Sequence, residues 1–131
     1  MVDVLFPLVT LISHDDAPVF DIPGATFTAY AAPSRGASEV SLWSVELAAG
    51  STSAPHHMDC EELFFGQSGT AVALVDGVEH RVGPGDCLVL APGAEFSFRV
   101  GGSEPFQAVA CMRTGGQAVL DGETFAPPWT V

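Results

Sequence analysis

Lysine is absent from the 131 residues, and arginine occurs only at Arg35, Arg81, Arg99 and Arg113. Without lysine there is no Schiff-base chemistry and no lysine base. Four scattered arginines form no basic stripe, and the formal net charge is −12. Binding to a nucleic-acid backbone or an anionic membrane surface is therefore excluded as an expectation. A small, neutral or weakly charged partner is the easier fit. The three cysteines, Cys60, Cys87 and Cys111, have neither the C-x-x-C spacing of a zinc site nor the even count of a secreted disulfide framework. Cys87 and Cys111 lie in apolar runs and read as small buried hydrophobes. No apolar run is long enough to span a bilayer. The apolar start, Met1 to Ile12, carries Asp3 and Pro7 and lacks a basic leader, so it reads as neither signal peptide nor anchor. The expected location is the cytoplasm.

What is present is apolar and regularly punctuated. Hydrophobic residues make up 47% of the chain, and fourteen glycines and ten prolines break it at short intervals. That combination describes a folded domain of many short strands, and the length suffices for one core. Thr26 to Tyr30, Val40 to Leu47, Ala54 to Met58 and Glu62 to Phe65 read as strands. Thr70 to Val75 and Val78 to Val82 flank Asp76-Gly77, a dipeptide that accepts the positive φ angles of a type I′ hairpin. Cys87 to Leu90, Phe96 to Val100 and Phe106 to Met112 complete the set. Even spacing with almost no helical period predicts an all-β, single-domain sandwich or closed barrel. The tail Phe125-Ala126-Pro127-Pro128-Trp129 cannot be a central strand, since neither proline can donate to a ladder. An apolar arm of this kind is expected to pack on something, such as the barrel of a second subunit.

One stretch has a specific pattern. Gly50 is followed after five residues by His56, then by Glu62 and Gly69. This resembles the first motif of the cupin superfamily: glycine, five residues, His-x-His, three or four residues, Glu, six residues, Gly. Gly85-Asp86 through Gly93 resembles the second motif, and Asp76-Gly77 falls where that family has its hairpin. The likeness spans about residues 40 to 112. It implies a cupin-type β-barrel (jelly roll), with 1–24 as an N-terminal segment packing on the barrel, 25–114 as the barrel and 115–131 as a C-terminal arm. It also implies a homodimer.

Two family ligands are replaced. The second histidine of motif one falls on Met58, and the motif-two histidine falls on Phe96. The family's metal is held by three histidines and a glutamate, so only His56 and Glu62 remain to hold an ion. A third ligand would have to be His57, Cys87, Cys111 or Gln107. Three protein ligands are the usual minimum for zinc or iron, and a thioether such as Met58 suits only soft ions. The expectation is no tight metal; a loosely held divalent ion would rest on His56 and Glu62.

Alternate residues of a strand share a face, so His56 and Met58 point together and His57 points away. The resemblance then implies that His56 and Glu62 converge within hydrogen-bonding reach, with Met58, Phe64, Phe96 and Trp43 as the surrounding substrate-binding wall. A buried glutamate without an ion has a raised pKa, unless His56 becomes cationic and pairs with it. Such a pair suits metal-independent proton transfer, with His56 and Glu62 catalytic: an isomerisation, dehydration or cyclisation of a hydrophobic or aromatic metabolite. Two other readings stay open, a non-catalytic binding barrel and a metal-dependent oxygenase or isomerase with an unusual ligand set. Conservative readings apply elsewhere: His80 and His57 at the surface, His14 in a turn, Trp43 and Phe98 as core.

Overall fold

The computed structural model describes residues 8–131. Among the described residues twelve strands follow in order: β1 (Val19–Ile22), β2 (Ala25–Ala31), β3 (Val40–Leu47), β4 (His57–Met58), β5 (Glu62–Ser68), β6 (Ala71–Val75), β7 (Val78–Val82), β8 (Cys87–Leu90), β9 (Phe96–Val100), β10 (Phe106–Arg113), β11 (Ala118–Leu120) and β12 (Glu123–Phe125). Every pairing is antiparallel. The fold is the all-β jelly roll expected from the sequence.

One wall is a six-stranded sheet in the order β1-β2-β3-β10-β5-β8. The opposite wall is built from two three-stranded sheets, β7-β6-β9 and β12-β11-β4. The chain from Ser51 to Met58 joins them: Thr52 bridges to Arg99, His56 bridges to Phe96, and β4 pairs with β11. A continuous strand over Ala54 to Met58 was expected, but only His57–Met58 is regular. Pro55 has no N–H to give to a ladder, so pairing breaks around it.

Period-two alternation decides what faces inward. Ser41, Trp43, Val45 and Leu47 of β3 are buried, as are Phe106, Ala108, Ala110 and Met112 of β10. The register sets Trp43 beside Ala110 and Glu62 beside Met112. At the hairpin between β6 and β7, Asp76 and Gly77 take φ of 46° and 83°, as a type I′ turn requires. Packing demands glycine at Gly66 and Gly69, where a Cβ would run into the carbonyls of Gly83 and Pro105.

The reading of Cys87 and Cys111 as buried is corrected. Cys87 is exposed and Cys111 only half-buried, because both sit at outward positions of the six-stranded sheet; Cys60 is the buried one. In the N-terminal segment, residues 1–7 lie outside the described residues, Leu8, Val9 and Leu11 are exposed, and β1 hydrogen-bonds to β2 as part of the sheet. The C-terminal arm packs on its own barrel. Trp129 stacks on Phe27 with ring centroids 3.6 Å apart, and the buried Ser41 hydroxyl donates to the Thr130 carbonyl at 2.8 Å.

Candidate active site

Between the walls lies a cavity of about 310 Å³. Trp43, Val45 and Leu47 of β3, Glu62 and Phe64 of β5, Phe96 and Phe98 of β9, and Phe106 of β10 form its sides. His56 and Met58 enter from the linking segment. All six residues singled out from the sequence (His56, Glu62, Met58, Phe64, Phe96 and Trp43) border this one space. Sequence reasoning did not place Phe27, Leu120, Phe125 or Trp129 there, nor the lip from Ser51 to Ala54. The apolar, proline-rich tail was the one local sign that the C-terminal residues would cover something.

His56 is fixed by its own backbone. Its N–H donates to the Phe96 carbonyl at 3.1 Å, and its carbonyl accepts from the Phe96 N–H at 2.8 Å. Its ring packs on Phe96 with centroids 4.4 Å apart. Nδ1 lies 3.0 Å from the Ala54 carbonyl. A carbonyl only accepts, so Nδ1 carries the proton and Nε2 keeps its lone pair. Burial pushes the imidazole pKa below its ordinary value, the Ala54 bond opposes this, and His57 adds a minor lowering. His56 is therefore neutral at neutral pH.

Glu62 is 5% exposed, and its Oε1 is buried with no hydrogen-bond partner among the described residues. Burial alone raises its pKa to about 8. The direct His56–Glu62 hydrogen bond expected from the sequence is not formed, since the His56 ring bonds to Ala54 and Glu62 is left unpaired. Nor do the two form an ion pair: each lacks a stabilising counter-charge, so desolvation neutralises both. At neutral pH the cavity thus presents a carboxylic acid and a free imidazole lone pair. The indole N–H of Trp43 is also buried without a partner. Unpaired buried polar atoms are rare and call for a reason.

The metal expected of a family with three histidines and a glutamate does not fit this donor set. Met58 and Phe96 stand where two ligands would be, with the Phe96 ring against His56. None of the candidate third ligands borders the cavity: Cys87 is exposed, Cys111 faces outward, and Gln107 bonds to Ser68 and Glu46 on the outer surface. His57 is half-buried outside the lining. Among the described residues no three His, Cys, Asp or Glu side chains gather as a metal site would need. Likewise, among them no helix is long and apolar enough to cross a membrane.

Comparison with known proteins agrees with this architecture. A family model described as "Cupin domain" matches residues 43–112, more than half of the chain. No curated protein matches the sequence. Among solved structures, the polyketide cyclase RemF from Streptomyces resistomycificus superposes with a TM-score of 0.73 at 15% identity, covering 92% of this chain and 89% of that one. KdgF from Halomonas sp. gives 0.68 at 15% identity over 79% and 94%. A salicylate 1,2-dioxygenase from Pseudoaminobacter salicylatoxidans, solved with gentisate, gives 0.69 at 16% identity, covering 81% of this chain but 31% of the longer enzyme. At such identities the likeness is one of fold.

Proposed function

The chain belongs to the cupin family, and from that footing we propose that it is an enzyme moving protons on a hydrophobic small molecule through His56 and Glu62, with no metal in the step. The observation that carries this reading is the buried, unpaired Oε1 of Glu62 in the same apolar cavity as an imidazole whose Nδ1 is engaged by Ala54. A carboxyl kept neutral at neutral pH can donate, and a neutral imidazole can accept. For a ketone, Nε2 takes the proton from the carbon beside the carbonyl while Glu62 gives its proton to the carbonyl oxygen. The product is the enol; for an unsaturated ketone it is a dienol, and when His56 returns the proton to the far carbon while the enol hydroxyl gives its proton back to Glu62, the double bond moves. For a dehydration, the departing hydroxyl takes the Glu62 proton and leaves as water. A cyclisation uses the enol carbon as nucleophile on a second carbonyl of the same molecule, whose C=O π bond opens and whose oxygen takes the proton held by His56 as the enol hydroxyl returns its own to Glu62. The cyclase among the fold neighbours makes such chemistry at home on this scaffold, by analogy only.

Deuterium uptake by α-tetralone in D₂O tests the proton step without knowledge of the natural substrate. His56→Ala and Glu62→Gln are expected to slow uptake by about 10²–10⁴-fold while leaving α-tetralone affinity within about tenfold. Uptake should also fall as pH rises through about 8, where Glu62 loses its proton. Exchange at the wild-type rate in both variants, with binding retained, means a non-catalytic binding barrel instead.

Self-association into a homodimer is part of the same proposal. It is supported by the outer face of the six-stranded sheet, where Leu42, Cys111, Leu63 and Val89 form one row and Ser44, Val109, Phe65 and Cys87 the next, with no charge in either. A cytoplasmic location is supported by the three cysteines, all free.

A further inference from the structure

Charge is missing where small acidic metabolites would need it. None of the four arginines borders the cavity, and there is no lysine. Arg99 pairs with Glu79 and Arg113 with Asp59, both at the surface, and Arg35 donates to the Tyr30 carbonyl. The lip of the cavity offers only neutral hydroxyls, which supply no counter-charge: Ser51 donates to the Ala48 carbonyl, and Ser53 accepts from the Phe98 N–H. A carboxylate entering this space would lose its water and gain no counter-ion, beside a buried carboxyl group and inside a chain of net charge −12.

The groups left unsatisfied point the other way. The Trp43 indole N–H is a buried donor without an acceptor. Glu62 Oε1 is buried without a partner as well, and His56 Nδ1 is turned to the Ala54 carbonyl. Size adds a limit: about 310 Å³ is roughly twice the ~150 Å³ cavity that holds a benzene ring. The walls are aromatic, with Phe64, Phe96 and Phe98 packed edge to face and Trp129 flat on Phe27.

We propose that the cavity selects uncharged, oxygen-bearing ligands of about two rings, taking a ketone or ester oxygen as acceptor for the Trp43 N–H, and that it rejects the corresponding carboxylates. This deepens the proton-transfer reading by naming the charge class and size of the substrate. It departs from the acidic ligand gentisate seen with the dioxygenase neighbour.

Binding, rather than turnover, tests it. Methyl naphthoate, naphthoate and naphthylmethylammonium share one ring system and differ in charge. Titrated by calorimetry into the full chain at neutral pH, the ester is expected to bind at least about tenfold more tightly than either ion. The chain has two tryptophans and both border the cavity, so indole N–H resonances localise the event. The Trp43 signal should move with the ester as its orphaned donor gains an acceptor. Equal or tighter binding of naphthoate, tighter binding of the ammonium, or no binding of the ester overturns the proposal. Because none of these readouts needs conversion, charge selectivity can hold even where α-tetralone exchange fails. Repeating the titration with Glu62→Gln separates the two causes. Continued rejection of naphthoate is expected, since the missing counter-ion remains missing; naphthoate binding as well as the ester would overturn it.

Discussion

The six-stranded sheet has two apolar faces, and only one of them borders the site. On the inner face, Trp43, Glu62, Phe64 and Phe106 look into the cavity. On the outer face, one residue along each strand, Leu42, Leu63, Phe65 and Val89 look out, and Phe65 and Val89 are largely exposed. Hydrophobicity does not separate the faces. What separates them is that the inner face carries two polar atoms that find no partner, Glu62 Oε1 and Trp43 Nε1, while the outer rows bury no polar side-chain atom in that state. An apolar surface is satisfied by any apolar neighbour. A buried carboxyl is satisfied only by a matching group, so it marks where a specific molecule belongs.

The sharpest way to break this comparison is to remove the inner polarity and measure stability. Glu62 has a folded-state pKa of about 8 against an ordinary 4.5. The folded state therefore holds its proton more tightly than the unfolded chain. Below 4.5 both states are protonated and the group is neutral toward folding. As pH rises from there the unfolded state gains by ionising, and stability falls until about 8, where the penalty is complete. By linkage the full effect is on the order of 5 kcal/mol. Glu62→Gln should match wild type in acid and exceed it by an amount of that order at about pH 9, read by denaturant unfolding. His56 works in the opposite sense. Its lowered pKa makes it destabilising as pH falls below its ordinary 6.5, so the two groups oppose folding from opposite sides. Equal stability of Glu62→Gln and wild type across the alkaline range would mean that the carboxyl is not desolvated.

A smaller effect concerns the arm that closes the cavity. Ser41 is an inward residue of β3, fully buried, and its hydroxyl holds the Thr130 carbonyl. Thr130 in turn donates from its hydroxyl to the Pro127 carbonyl at 2.7 Å, which shapes the turn carrying Trp129. Ser41→Ala leaves a buried carbonyl without its donor, a loss of about 1–3 kcal/mol. Unfolding should report that loss, and the Trp129 indole resonance should shift as its stack on Phe27 loosens. An unmoved Trp129 signal would show that the arm is held by its aromatic stack alone.

These regions were not equally legible in the sequence. The pair His56 and Glu62 could be read because its spacing belongs to a local motif, and the period of a strand told which neighbours share its face. The Asp76-Gly77 hairpin was legible for the same reason, since its chemistry lies in two adjacent residues. The arm was not. Trp129 is held over the cavity by its stack on Phe27 and by the Ser41–Thr130 hydrogen bond, partners roughly 100 and 90 residues away along the chain, and no local pattern encodes such a partner. Cys87 and Cys111 were misread because the outer rows are as apolar as the inner ones, so an apolar run could not say which way a cysteine points. The absent His56–Glu62 bond depended on side-chain torsions, which the Ala54 carbonyl decides.

The smallest expected effect on the fold comes from the outer face, and it completes the comparison. Phe65 lies beside Val109 on one strand and Cys87 on the other, in the middle of the uncharged rows. In a homodimer built on this face, Phe65→Asp would place a carboxylate of each copy within the buried contact, without a basic partner in either row. Desolvating it is unfavourable, so the variant should sediment as a monomer at concentrations where wild type is dimeric. The monomer itself should lose only about 1–2 kcal/mol, because roughly half of the Phe65 side chain is already in water and the rest of the cost is that of Asp in a strand. Deuterium exchange on α-tetralone should likewise be unchanged, since Phe65 points away from the cavity. A monomeric wild type would leave the outer face merely apolar. A loss of exchange in Phe65→Asp, with folding intact, would mean that the two faces are coupled through β5, and that Glu62 keeps its position only when the opposite side of its strand is covered.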